Sequence, residues 1–109
     1  MSLRNLPTDE PRALADLVRC RPGQVSSRLL TRADDAACLV LLGFAAGESV
    51  SEETYAADTL YHVLEGGARV GLPDREVALA AGEALLVPAG VPHAVAAPCD
   101  LKLLQVSVP

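Results

Sequence analysis

The sequence is poor in aromatic residues, in histidine and in lysine. Its 109 residues include three aromatics, no tryptophan, two histidines and one lysine, and isoleucine is absent. Three aromatics are too few to form a platform on which bases or sugars stack. Eight arginines and the lysine leave a net charge of -5, so no basic face is available for a phosphate backbone and nucleic acid is not an expected partner.

Cysteine and long apolar runs are also scarce. Cys20, Cys38 and Cys99 form no C-x-x-C pair, so we expect free buried thiols rather than a zinc site or a redox pair. The longest apolar stretch, residues 36–46, is too short to cross a bilayer, and residues 1–7 show no secretory signal. We therefore expect a soluble, cytoplasmic protein of one domain without a membrane partner, with a composition typical of a GC-rich bacterium.

What the chain does contain is a series of short β-type runs separated by turn residues. Before them, residues 1–24 form a helical or extended segment, with one short helix predicted to start near Asp9 and to end at Pro22 and Gly23. Residues 25–109 form a barrel, in which strands are predicted at residues 25–32, 37–44, 59–65, 68–72, 76–80, 84–87, 93–97 and 101–108. This rhythm predicts an antiparallel sandwich or barrel.

Several of the runs are apolar on both faces. Residues 37–44 and 91–97, for example, carry apolar or small residues on both faces, instead of apolar residues that alternate with polar ones. A solvated outer face would alternate, and one short helix cannot cover a whole sheet. We therefore expect a homodimer.

Two segments resemble the sequence motifs of the cupin superfamily. The second family motif, G-x(5)-P-x-G-x(2)-H-x(3)-N, is matched except for its asparagine at Gly82, Pro88, Gly90 and His93. The first, G-x(5)-H-x-H-x(3,4)-E-x(6)-G, keeps its two glycines, here residues 47 and 66, and the Val-Leu-Glu-Gly turn at residues 63–66. The resemblance implies an all-β fold, a double-stranded β-helix or jelly-roll cupin barrel with a short N-terminal helix.

The resemblance also implies where a metal would sit. In metal-binding cupins, the two histidines and glutamate of the first motif and the histidine of the second hold one iron, manganese, nickel or zinc ion. Counting from the first glycine places Glu53, Tyr55 and Thr59 at those positions, and counting back from the second moves the first two to Tyr55 and Ala57. Neither count restores a histidine, so His93 is the one clear ligand-type residue.

One imidazole does not hold a transition metal, and we expect no cofactor. The alternative is a single divalent ion held by His93, Glu53, a tyrosine and water. His62 is a weak further candidate ligand, because it lies an odd number of residues from Thr59 and on a regular strand faces the other way.

Three functions stay open, and whether the protein is an enzyme stays open with them. The first is binding of a small molecule without the full metal site, in a pocket formed by Glu53, Tyr55, Thr59, Tyr61 and His93. The second is a metal-dependent oxygenase or isomerase with substituted ligands, which needs an open coordination position. The third is a metal-free isomerase or epimerase, in which His93 and Tyr55 or Tyr61 act as base and acid, as in the nucleotide-sugar epimerase branch of the cupins.

Overall fold

Two antiparallel β-sheets face each other in the computed structural model, which describes residues 2–109. Within that range the strands are β1 Val25–Leu29, β2 Cys38–Phe44, β3 Ser49–Glu53, β4 Asp58–Glu65, β5 Gly67–Gly71, β6 Glu76–Ala80, β7 Ala84–Val87, β8 His93–Ala96 and β9 Leu101–Val108. The five-stranded sheet has the order β1-β2-β9-β4-β7, and the four-stranded sheet has the order β3-β8-β5-β6. This arrangement confirms the predicted all-β jelly-roll barrel.

One strand, β3, was missed by the strand prediction. Its sequence is mostly polar, and four of its five residues are exposed. It lies at the edge of the four-stranded sheet, where only β8 pairs with it. Edge strands bury little side-chain surface, so the apolar alternation that reveals a strand is weak there.

The predicted N-terminal helix is a single 3₁₀ turn over Leu14–Leu17 and begins later than expected. Asp9 has a φ of 62°, in the left-handed region, so no right-handed helix can start at that residue. Pro11 also disfavours helical geometry for the residue before it. Apart from this one turn, residues 2–24 form bends, turns and irregular backbone. Within residues 2–109 no helix is long and apolar enough to cross a membrane.

The main core lies between the two sheets. On β4, Thr59, Tyr61 and Val63 are buried, whereas Asp58 and Leu60 are exposed. The inward residues of β4 meet those of other strands in one apolar cluster, which includes Phe44, Ala68, Val70, Leu79, Val87, Val95, Ala97, Leu101 and Leu103. This alternation directs Tyr61 into the barrel.

A second, smaller core lies outside the five-stranded sheet, under the N-terminal segment. Val18, Leu30 and Leu41 are buried there, and Lys102 donates a 2.7 Å hydrogen bond from Nζ to the Ala15 carbonyl. The segment thus covers one part of the outer face. Elsewhere on that face apolar side chains stay exposed, among them Leu60, Leu86 and Val108.

The three cysteines are free, as predicted, but not all are buried. Cys20 and Cys38 are half-buried, and Cys99 is exposed in the turn between β8 and β9. The expectation of a buried thiol was wrong for Cys99 because its turn lies outside both cores.

Candidate functional site

The candidate site joins two buried side chains from opposite sheets. His93 is the first residue of β8 in the four-stranded sheet, and Tyr61 lies in the middle of β4 in the five-stranded sheet. Their residues are 2% and 3% exposed. The barrel therefore holds a histidine and a tyrosine in contact in its interior.

Hydrogen bonds occupy both ring nitrogens of His93. Nδ1 lies 2.9 Å from the Val91 carbonyl oxygen, and Nε2 lies 2.7 Å from the Tyr61 hydroxyl. A carbonyl oxygen only accepts, so in the neutral ring Nδ1 carries the hydrogen and Nε2 accepts from the tyrosine O–H. The Val91 carbonyl thereby selects the tautomer and aims the Nε2 lone pair at Tyr61.

Aromatic contacts hold the imidazole from two sides. The Tyr55 and His93 ring centroids are 5.7 Å apart with an interplanar angle of 61°, and those of Tyr61 and His93 are 5.5 Å apart at 71°. Both are edge-to-face arrangements, which aromatic rings favour. The Gly90 N–H donates a 2.8 Å hydrogen bond to the Tyr55 carbonyl, and this bond ties Tyr55 to the loop that leads into β8.

The surroundings of Tyr61 keep its hydroxyl protonated. Burial raises the pKa of Tyr61 well above its ordinary value, and the neighbouring Tyr55 and Glu53 raise it further. Desolvation penalises the phenolate because the charged form loses its hydration. Tyr61 is therefore a neutral donor to His93 at physiological pH.

A small cavity lies beside this pair, and it includes four of the five predicted pocket residues. The cavity has a volume of about 20 Å³, which leaves room for about one water molecule. The polar residues that line it are Ser51, Glu53, Tyr55, Tyr61, His93 and Gln105, and the apolar ones are Leu42, Phe44, Val50 and Val95.

Thr59 was also predicted in the pocket, and it does not line this cavity. It is buried in the barrel, where its hydroxyl lies 3.2 Å from the Ser107 hydroxyl. Gln105, in contrast, was missed. It pairs in register with Tyr61 and shares the inward phase of Leu101 and Leu103, so the period-two pattern of β9 contained the signal.

His62 lies on the other face of β4. It pairs in register with Ala84 and Leu104, and the irregularity in β4 comes only after Val63. The strand is regular through His62, so its half-buried side chain faces away from the barrel interior that holds Tyr61 and His93.

The side chains at the cavity do not form a suitable ligand set for the divalent metal that the sequence resemblance implies. His93 offers a single imidazole, whose Nε2 already accepts from Tyr61, and the raised pKa of Tyr61 disfavours a phenolate ligand. Nowhere in residues 2–109 do three or more His, Cys, Asp or Glu side chains converge as a metal-binding group. Glu53 would be left as the one charged ligand, and tight transition-metal sites require more.

Comparisons with known proteins agree on the fold. The family model for the cupin domain matches residues 40–107. A cupin superfamily protein from Desulfitobacterium hafniense is 41% identical, with 99% of this chain and 98% of that chain covered and a TM-score of 0.94. A conserved protein of unknown function from Streptococcus pyogenes is 22% identical, with 99% and 94% covered and a TM-score of 0.93.

A more distant match is a known enzyme. The salicylate 1,2-dioxygenase from Pseudoaminobacter salicylatoxidans, solved in complex with gentisate, is 18% identical, with 76% of this chain and 25% of that chain covered and a TM-score of 0.70. At this identity the likeness concerns the fold alone. Among curated proteins, none matches the sequence significantly.

Proposed function

The chain belongs to the cupin family, and we propose that it uses the cupin barrel to bind a small molecule without a metal ion. The hydrogen bond between Tyr61 and His93 carries this proposal. It occupies the imidazole nitrogen that a metal would need, and it leaves a polar pair at the wall of a cavity inside the barrel.

The polar groups of the cavity favour a ligand that donates hydrogen bonds. The Tyr61 oxygen gives its hydrogen to His93 and retains lone pairs that accept, and the Glu53 carboxylate only accepts. No arginine or lysine lines the cavity, so a phosphate or carboxylate ligand would find no cation. We propose a neutral or cationic molecule with hydroxyl or amino groups.

The size of the cavity requires that the site opens when it binds. Room for about one water molecule is far below the several hundred Å³ of ordinary ligand pockets. Strand β3, which carries Ser51 and Glu53, is an exposed edge strand paired on one side only, so its displacement breaks few contacts. We propose that β3 moves outward when the ligand binds, and that this movement enlarges the cavity beyond the room for one water molecule.

Metal analysis tests the metal-free part of the proposal. The untagged protein is purified without chelators, its metal content is measured by mass spectrometry, and Mn²⁺, Fe²⁺, Ni²⁺ and Zn²⁺ are titrated by calorimetry. We expect far less than one ion per chain and the same weak binding in wild type and His93→Ala. One tightly bound ion per chain that His93→Ala loses would overturn the proposal.

Matched variants test the binding part. A set of small polyols and amines is screened by thermal shift, and hits are measured by calorimetry on Glu53→Gln and Glu52→Gln. Glu53 lines the cavity, whereas Glu52 is an adjacent exposed acid that does not. We expect Glu53→Gln alone to weaken binding, and equal weakening by both substitutions would place the ligand elsewhere.

The short Tyr61 to His93 distance favours a second candidate function, metal-free acid-base catalysis. A substrate proton can pass to the Tyr61 oxygen as the Tyr61 hydrogen moves to Nε2 of His93, 2.7 Å away. The lack of a lining cation disfavours nucleotide sugars and leaves small uncharged sugars. Aldoses and ketoses incubated in D₂O test this, since carbon-bound hydrogen would exchange with wild type and not with Tyr61→Phe.

We also propose that the chain forms a homodimer through the exposed part of the five-stranded sheet. In register across β7, β4 and β9 lie Leu86, Leu60 and Val106, a row of three apolar side chains on the outer face. Leu86 is 58% exposed and Leu60 36% exposed, beyond the reach of the N-terminal segment. Pairing two such rows removes apolar surface from water.

A further inference from the structure

A second cavity lies outside the barrel, between edge strand β1 and the N-terminal segment. It is open to solvent, with a volume of about 340 Å³, within the range of small-molecule sites. Its polar lining consists of Asp16, Arg19, Arg21, Ser26, Ser27 and Arg28. It shares no residue with the cavity beside His93, so it stands apart from the function proposed above.

The charge around this cavity is opposite to that of the protein as a whole. Residues 2–32 hold six of the nine cationic side chains and three of the fourteen acidic ones, a net charge of +3. Residues 33–109 hold the remaining three cations and eleven acids, a net charge of -8. The basic side chains are thus concentrated in the segment that builds the cavity, and an anion is drawn to this part of the surface.

Two of the three arginines are free of both ion pairs and side-chain hydrogen bonds among residues 2–109. In the part of the chain that the structure describes, no carboxylate lies within ion-pair distance of Arg19 or Arg21. Arg28 is held in place, with Nε donating to the Asn5 carbonyl at 2.9 Å and Nη1 to the Leu17 carbonyl at 3.3 Å. Arg28 ties the N-terminal segment to β1, while Arg19 and Arg21 stay available.

The backbone that carries Arg19 is pressed against the sheet. A Cβ atom at Gly43 would clash with the Arg19 carbonyl oxygen and would lie 2.8 Å from the carbonyl carbon, so only glycine permits this approach. Gly43 pairs in register with Ser26 of β1, which places the contact next to the cavity. The wall is therefore positioned before any ligand arrives, which lowers the entropic cost of binding.

A buried hydroxyl at the same wall lacks a partner. Ser26 Oγ is a buried side-chain oxygen with no hydrogen-bond partner among residues 2–109. Buried polar groups in native proteins are nearly always paired, so an orphaned one calls for a missing partner such as a ligand. Ser26 is also one of the residues that line the cavity.

We propose that this cavity binds a phosphate group, either free phosphate or the monoester of a small metabolite. Three arginines and Asp16 give the lining a net charge of +2, which matches the charge of a phosphate monoester near neutral pH. Guanidinium groups donate two parallel hydrogen bonds to phosphate oxygens, and serine hydroxyls add single donors. Asp16 also lines the cavity and faces the anion unfavourably, so the arginines must outweigh it.

An NMR titration with inorganic phosphate tests the site. Amide spectra of ¹⁵N-labelled protein are followed at constant ionic strength as phosphate replaces chloride, in wild type, in Arg19→Gln/Arg21→Gln and in Arg75→Gln. Arg75 is an exposed arginine between β5 and β6, so its substitution removes charge without touching the cavity. Unchanged spectra outside the cavity verify that each variant is folded.

In wild type and Arg75→Gln we expect saturable shifts of the amide signals of residues 16–21 and 26–28. In the double variant we expect the Kd for phosphate to rise at least tenfold, because hydrogen bonds from charged groups are lost. Glycerol 3-phosphate as a second titrant distinguishes a monoester site, for which it binds more tightly, from a site for free phosphate. Shifts that do not saturate, a double variant with wild-type affinity, or an equal response to acetate would overturn the assignment.

Discussion

The Tyr61 hydroxyl and the His93 imidazole, carried by opposite sheets of the barrel, are joined by a 2.7 Å hydrogen bond in the interior. The Val91 carbonyl accepts from the other ring nitrogen at 2.9 Å, so the three groups form one chain of hydrogen bonds. Each partner is satisfied by the next, which makes the pair a structural link between the sheets as well as the polar wall of a cavity.

Tyr61→Phe removes the donor from this chain and leaves Nε2 of His93 buried without a partner. We expect the free energy of unfolding to fall by about 1–3 kcal/mol, the cost of an unpaired buried polar atom. Urea denaturation measures it. Tyr55→Phe is the matched control, because it also removes one hydroxyl beside His93, whereas the hydrogen bond to Nε2 comes from Tyr61. An equal loss in both variants would show that the Tyr61–His93 hydrogen bond is not what stabilises the fold.

The stability of the protein should decline at alkaline pH through Tyr61. Burial, then Tyr55 and Glu53, raise the pKa of Tyr61, so the folded chain keeps a proton that the unfolded chain releases above about pH 10. The stabilisation is complete below about pH 10 and is lost as the pH rises further. Urea unfolding across this range should show a steeper decline in wild type than in Tyr61→Phe, and parallel curves would contradict the raised pKa.

Gly43→Ala places a methyl group against the backbone of Arg19. The contact is with backbone atoms, which cannot rotate away, so the N-terminal segment must shift. We expect a loss of about 1–3 kcal/mol in the free energy of unfolding. Gly71→Ala is the control, because a Cβ atom there meets nothing within 4 Å. If thermal unfolding shows the two variants to be equally stable, the segment does not pack on Gly43.

Ser26→Ala removes the buried hydroxyl that has no partner in the fold. We expect the free energy of unfolding to rise by about 1 kcal/mol, since an unsatisfied buried polar group is replaced by an apolar one. Ser27→Ala, at the exposed neighbouring position, should leave it unchanged. A clear loss of stability in Ser26→Ala would mean that an ordered water satisfies the hydroxyl.

Leu86→Lys introduces a charge into the exposed apolar row proposed as the dimer interface. Burying an unpaired ammonium group is costly, so we expect the variant to be monomeric where wild type is dimeric. Sedimentation equilibrium measures the mass of both. Ala80→Lys adds the same charge at an exposed position on the other sheet and should remain a dimer. A dimeric Leu86→Lys would move the interface elsewhere.

Most strand positions along the chain were predictable from the sequence, because turn residues and alternation are local properties. Eight strands were predicted, and β1 was simply shorter than expected. Gly66 and Gly82, two glycines of the family motifs, have φ values of 80° and 89°, which glycine adopts readily at tight turns. Strand β3 escaped because an exposed edge strand has no apolar face to reveal it.

The sequence by itself determined the all-β barrel and the inward direction of Tyr61, since local alternation sets which face of a strand a side chain occupies. The tertiary structure decided which partners meet inside. His93 contacts Tyr61 only because two sheets pack face to face, and Arg19, Arg21 and Ser26 line one cavity only because the N-terminal segment folds back over Gly43. Contacts between distant segments depend on how the sheets and the segment pack, and local periodicity contains no information about that packing.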